Sequence, residues 1–206
     1  LNPQLTSFNF ARSWSDVVIF AEGDDVYEKE SPKYAAIVLE GVTRATFSNI
    51  YVASNIPALL LRASSATGNM VSIRITDLQQ HGRPNESNAD PQVAVVIDVA
   101  ESRDRIDGLV MSVSRDSATM ETLRIVGDGT LNYPEIHLRA STGGNIRATG
   151  GCTLLGGDIR VENPQAVIDL RSCRYVSGVI HTPNPQGVGL PKAPDSNHVR
   201  IENTGR

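Results

Sequence analysis

Ala36-Ile37-Val38-Leu39-Glu40-Gly41-Val42, followed by Phe47-Ser48-Asn49-Ile50-Tyr51-Val52, sets the pattern of this chain. Two aliphatic residues spaced by two end in a charge and a break, and a second short β run follows. The first half of the pattern returns at Ala58–Ser64, Ala94–Ala100, Glu135–Ser141, Ala166–Ser172 and His198–Thr204. Alternate side chains of a strand point to opposite faces. The pairs Ile37/Leu39, Leu59/Leu61, Val95/Ile97, Ile136/Leu138, Ile168/Leu170 and Val199/Ile201 are therefore expected to face a common interior. The residue after each pair, Glu40, Arg62, Asp98, Arg139, Arg171 or Glu202, is expected to face out as one mixed-sign ladder. Recurrence at roughly 20–50 residues marks solenoids. Uneven gaps suit one whose extra residues loop out at corners. The expected fold class is all-β, a single-stranded parallel β-helix. The alternative is a β-sandwich of many short strands, but few two-residue hairpin turns separate the runs.

Composition bounds the function. The 206 residues suffice for one domain with a full core, and the net charge of −4 disfavours a general nucleic-acid binder. No apolar run is long enough to span a membrane, and no basic-then-apolar leader opens the chain. Without an initiator Met it reads as a mature product or a piece of a longer protein. Cys152 and Cys173 have no zinc spacing and read as two buried thiols, near enough in the repeat to stack.

Three regions follow from the pattern: a lead-in and cap at 1–16, the β-helix at 17–181, and a Pro-rich linker with a final strand at 182–206. Residues 22–33 form an acidic corner and 81–92 a polar excursion. Asn49, Asn55 and Asn145 read as corner residues, because Asn tolerates the left-handed conformation and bonds along a stack. Gly143-Gly144, Gly150-Gly151 and Gly156-Gly157 read as bends, since no phosphate-loop fingerprint accompanies them.

Candidate chemistry comes from the outward positions. Glycoside cleavage needs two carboxylates about 5–5.5 Å apart for retention or roughly 6.5–9.5 Å for inversion, and neighbouring coils can supply either spacing. Asp98, Asp169 and Glu101 are the candidate catalytic carboxylates, with Glu40, Asp104 and Asp107 behind them. A second run of similar phase places Tyr51, Arg74, Arg124, Arg147 and Arg160 outward, a candidate ligand-binding row if one sheet holds them all. A uronate lyase would use that row with His137 or Tyr51 as base. His81, His137, His181 and His198 show no metal-ligand spacing, so neither metal nor cofactor is expected.

The coil Ile37–Val42 with Phe47–Val52 resembles one of the pectin-lyase-like right-handed parallel β-helices, and the likeness extends over residues 17–181. Within that superfamily it looks most like bacteriophage tailspikes and tail fibres. The resemblance implies a homotrimer on a virion that attaches to a host cell by binding bacterial surface polysaccharide, and in many such proteins also cleaves it. The polygalacturonase motifs are absent, so no catalytic residue is carried over by position. The alternatives are a secreted extracellular polysaccharide lyase or hydrolase and a non-catalytic structural stalk.

Overall fold

The computed structural model describes residues 12–21, 35–54, 56–82, 93–115, 121–139 and 144–205. The strands are β1 (Arg12–Ala21), β2 (Ile37–Glu40), β3 (Thr43–Ser54), β4 (Leu59–Ala63), β5 (Met70–Gly82), β6 (Val95–Val99), β7 (Arg105–Asp107), β8 (Val110–Arg115) and β9 (Glu121–Gly127). They continue as β10 (Thr130–Asn132), β11 (Glu135–Arg139), β12 (Asn145–Thr149), β13 (Thr153–Val161), β14 (Ile168–Asp169), β15 (Tyr175–Thr182), β16 (Val188–Gly189) and β17 (Asn197–Asn203). Every pairing between these strands is parallel, and the chain returns to each sheet once per coil. The fold is a parallel β-solenoid.

The smaller sheet has seven strands, in the order β16-β14-β12-β9-β6-β4-β2. The larger has ten and consists of two arms. One coil crosses the arms as two short strands, β7 then β8, and the next as β10 then β11. Long strands such as β5 and β13 cross both without a break: β5 pairs β7 through Met70 and β8 beyond Arg74. The bend between the arms needs a left-handed backbone, which few side chains tolerate. At this bend Arg44, Ser72, Gly108, Tyr133 and Gly156 supply it on successive coils, with φ of 58, 57, 65, 52 and 64°, and a second left-handed corner, Asp16, Asn49 and Asp77 at 56, 52 and 55°, lies further along β1, β3 and β5. Asn49 Nδ2 donates to Asp16 Oδ1 along this corner at 2.6 Å, and Asn145 Oδ1 accepts from the Val167 amide at 2.8 Å, so both bond along a stack.

The interior is one continuous aliphatic cluster from Leu39 to Ile180. It includes Leu59/Leu61, Val95/Ile97, Ile136/Leu138 and Ile168/Leu170, all essentially inaccessible. Each such side chain contributes about 1.5–3 kcal/mol against exposure. The ends are less covered: Ile37 and Val199 are half-buried, and Ile201 is 36 % exposed. A second buried cluster lies on the outer side of the smaller sheet, where Leu60 and Val96 pack with Ala35 and Val93. Cys152 and Cys173 are buried free thiols whose Sγ atoms face each other at 3.0 Å on adjacent coils. Their mutual hydrogen bond, and then burial, push the Cys173 thiol far above its ordinary pKa.

The solenoid passes both limits read from the sequence. β1 is paired to β3 from Arg12 onward, and β16 and β17 extend the two sheets after residue 181. The Pro-rich stretch is therefore a corner, with a 3₁₀ turn at Pro185–Gly187 capped by the Asn184 side chain. The acidic corner at 22–33, Asn55 and most of the 81–92 excursion lie outside the described residues.

Candidate functional site

Two structural premises of the sequence reading are corrected by the register. The mixed-sign ladder is not one column. Glu40, Arg62 and Asp98 are register partners on β2, β4 and β6, and Val126 is next in line. Arg139 and Glu202 belong to the larger sheet, and Arg171 follows β14 in the smaller one. The basic row divides in the same way. Tyr51 aligns with Val18 and Gln79, and Arg74 with Thr46 and Val110, in the larger sheet. Arg124 and Arg147 are partners in the smaller sheet, and Arg160 lies on β13 between His137 and His181. The physical reason is that an aliphatic pair followed by a charge suits a strand of either sheet equally well.

Asp98 does not face solvent. It is 5 % exposed, and its Oδ2 accepts from Arg62 Nε at 2.9 Å, while Arg62 Nη1 reaches Glu40 Oε1 at 2.7 Å. Burial opposes the Arg62 charge, but the hydrogen bonds to Asp98 and Glu40 outweigh it and raise its pKa. The trio is a carboxylate–guanidinium–carboxylate clamp across three coils. Asp169 is held by Arg171, whose Nη2 lies 2.7 Å from Oδ2, and this contact lowers the Asp169 pKa. Glu101 is exposed and takes Arg103 Nε at 2.8 Å. Asp104 is 1 % exposed and its carboxylate caps the same turn through the Glu101 amide. Asp98 and Asp169 stand three rungs apart on β6 and β14, about 14 Å at the usual strand spacing. That separation exceeds what either glycoside mechanism uses between its two carboxylates.

Arg124 and Arg147 share one counter-ion. Arg124 is 6 % exposed and donates to Glu121 Oε2 at 2.6 Å, and Arg147 reaches Oε1 at 3.3 Å. Buried Arg115 also donates to the Glu121 carbonyl at 2.6 Å. Glu121 thus gathers three arginines at the start of β9, an arrangement that fixes the coil.

The outer face of the larger sheet over β8, β11, β13, β15 and β17 is different. One column runs Ser112–His137–Arg160–His181–Glu202, and the column two residues earlier runs Val110–Glu135–Asp158–Val179–Arg200. These outward side chains alternate with Ile136, Ile159 and Ile180 in the core. His137 Nε2 is 2.7 Å from Glu162 Oε1. His181 lies between Glu202, 3.0 Å from Nδ1, and Asp158, 3.4 Å from Nε2. Arg200 reaches Glu202 at 2.8 Å. Arg160 and Glu135 make no ion pair among the described residues. Rungs about 4.8 Å apart repeat donors and acceptors at a fixed interval on an open surface. Glu135, Asp158, Glu162 and Glu202 stand against Arg139, Arg160 and Arg200, so these carboxylates outnumber the arginines by one. Among the described residues no group of His, Cys, Asp or Glu is placed to hold a metal ion.

Of the sequence candidates this face holds Arg160 and His137, and Arg74 continues the Val110–Glu135 column one rung earlier. Glu135, Asp158, His181 and Glu202 were not singled out as binding residues, although Glu135-Ile136-His137 and Asp158-Ile159-Arg160 share one polar-Ile-polar signature. No family model, no curated protein and no solved structure matches the chain.

Proposed function

We propose that the chain is a solenoid domain of a bacteriophage tailspike or tail fibre, and that it binds bacterial surface polysaccharide along the outer face of the larger sheet. The observation that carries this reading is the exposed two-column ladder from Glu135 and His137 to Arg200 and Glu202. A repetitive polymer presents hydroxyls at regular intervals, and a strand ladder answers with hydrogen-bonding groups at regular intervals. Carboxylates and imidazoles accept from and donate to such hydroxyls. Large apolar ligands find little on this face. A homotrimer exposed on the virion is part of the proposal, supported by the resemblance of the Ile37–Val52 coil to tailspikes.

Binding without cleavage is favoured by the state of Asp98, Asp169 and Glu101, each tied to an arginine. A second reading, cleavage, is supported by Glu135 and Asp158. They are exposed partners on adjacent rungs, near the separation of about 5–5.5 Å that a retaining hydrolase uses.

The test is an array of purified bacterial surface polysaccharides probed with the full chain, with reducing ends measured on every polymer bound. Saturable binding without new reducing ends supports the first reading. New ends that disappear in Glu135→Gln support the second. A chain that binds no polymer on the array is a structural stalk, and the proposal fails. Light scattering supports the virion assembly if the mass is three times 22.2 kDa.

A further inference from the structure

Tyr133 is a bulky, exposed residue at a corner that glycine forms on the coils either side. The same corner is formed by Arg44 and Ser72 on earlier coils and by Gly108 and Gly156 on the coils either side, where glycine takes the left-handed backbone without steric cost. Tyr133 adopts the same conformation at φ 52° although it is bulky and precedes Pro134, a position that favours extended backbone. Its ring gains little burial in return, because the residue is 73 % exposed. The main chain here is well anchored: the Tyr133 amide donates to the Leu155 carbonyl at 2.7 Å, and the Gly108 amide to the Asn132 carbonyl at 2.9 Å. Those bonds do not depend on the side chain.

The surroundings fit the ring. A Cβ on Gly156, one coil further on, would come within 2.8 and 2.9 Å of the Tyr133 ring carbons, so the ring lies against bare backbone. One coil earlier, a Cβ on Gly108 would meet nothing within 4 Å, so the surface beside the ring is open. Hydrogen-bonding groups lie on both sides of the corner. On the first arm, Asn132 donates to Asp107 at 2.5 Å. On the second, Glu135 and Asp158 are exposed partners on adjacent rungs.

We propose that Tyr133 is the stacking platform of a sugar subsite, formed with Gly108, Asp107, Asn132, Glu135 and Asp158, that takes an uncharged hexose unit. The ring offers an exposed apolar face to the C–H face of a pyranose, and the flanking side chains accept hydrogen bonds from its hydroxyls. Three carboxylates around the platform exclude uronates and other acidic sugars by like-charge repulsion. This inference rests on the polysaccharide-binding reading and places one unit of the polymer at the corner of the ladder.

The experiment compares the wild-type chain with Tyr133→Gly and Glu135→Gln on the array of purified neutral and acidic bacterial polysaccharides, with a thermal melt of each protein. Tyr133→Gly is expected to lose at least about tenfold in affinity for neutral polymers. It is also expected to melt at or above the wild-type temperature, because glycine relieves the left-handed backbone. Glu135→Gln is expected to weaken neutral binding less and to admit acidic polymers. Wild-type affinity in Tyr133→Gly, or a wild-type preference for acidic polymers, overturns the subsite while the polysaccharide reading stands. A lower melting temperature in Tyr133→Gly makes the side chain structural and also overturns the subsite. A wild type that binds no polymer removes both.

Discussion

At the scale of the residue, the outward positions of this solenoid divide into those that hold it together and those left open to a ligand. Arg62 belongs to the first kind. It bridges Glu40 and nearly buried Asp98, and charged hydrogen bonds of this sort contribute about 1.5–3 kcal/mol each. Arg62→Met is expected to cost about 3 kcal/mol, because it leaves nearly buried Asp98 without that guanidinium. Urea unfolding measures this, and polysaccharide binding on the larger sheet is expected to be unchanged. Loss of binding with stability intact would show that the clamp touches ligand. Cys152 and Cys173 are also of the first kind. Burial and their mutual hydrogen bond keep the thiols protonated, so Ellman's reagent is expected to find neither in the native protein and both after unfolding. Rapid native reaction would contradict this placement. The aliphatic pairs were legible residue by residue, since Leu59/Leu61 and Val95/Ile97 are core as their alternation implied. The burial of Asp98 and Arg124 was not, because a charged residue at an outward strand position reads the same whether water or a neighbouring ion covers it.

At the scale of the element, the sequence identifies strands better than it identifies their partners. Thr122–Ile125 and Asn145–Ala148 have the phase of Asn49–Val52, yet they lie in the smaller sheet with β2, β4 and β6, while β3 lies in the larger. A period of two fixes which side of a strand is buried but not which side of the coil the strand lies on. What decides the face is the corner, and the corner is set by backbone conformation. Gly178 illustrates the constraint. Its φ is +127°, and a Cβ there would overlap the Gly157 carbonyl oxygen on the neighbouring strand. Gly178→Ala is therefore expected to cost at least about 2 kcal/mol, from strain and from the displaced β13–β15 ladder. Urea unfolding with hydrogen exchange on β13 and β15 checks both, and an unchanged midpoint would contradict the register at that corner.

At the scale of the whole molecule, the solenoid turns local regularity into long faces of unlike chemistry. Stacking buries one aliphatic column through the middle, and each rung needs its neighbours to cover its core. The smaller sheet closes its outer side, with Leu60 and Val96 buried and Arg124 and Arg147 bound to Glu121. The larger sheet leaves its outer side open along β11, β13, β15 and β17. The architecture was legible because every coil repeats it. The open face was legible only in fragments, such as Arg160 and His137, because its members come from four coils and meet through register alone.

The central claim is that polysaccharide binds the larger sheet and not the smaller one. The measurement that tests it most directly is the affinity of two variants for a polymer bound by the wild type, read by titration calorimetry: Arg160→Glu with His181→Ala on the larger sheet, and Arg147→Glu on the smaller. The expected result is a loss of at least about tenfold in the first variant, from lost donors and added negative charge, with wild-type affinity in the second. Loss in Arg147→Glu alone, with the larger-sheet variant unaffected, would contradict the account and move the site to the opposite face.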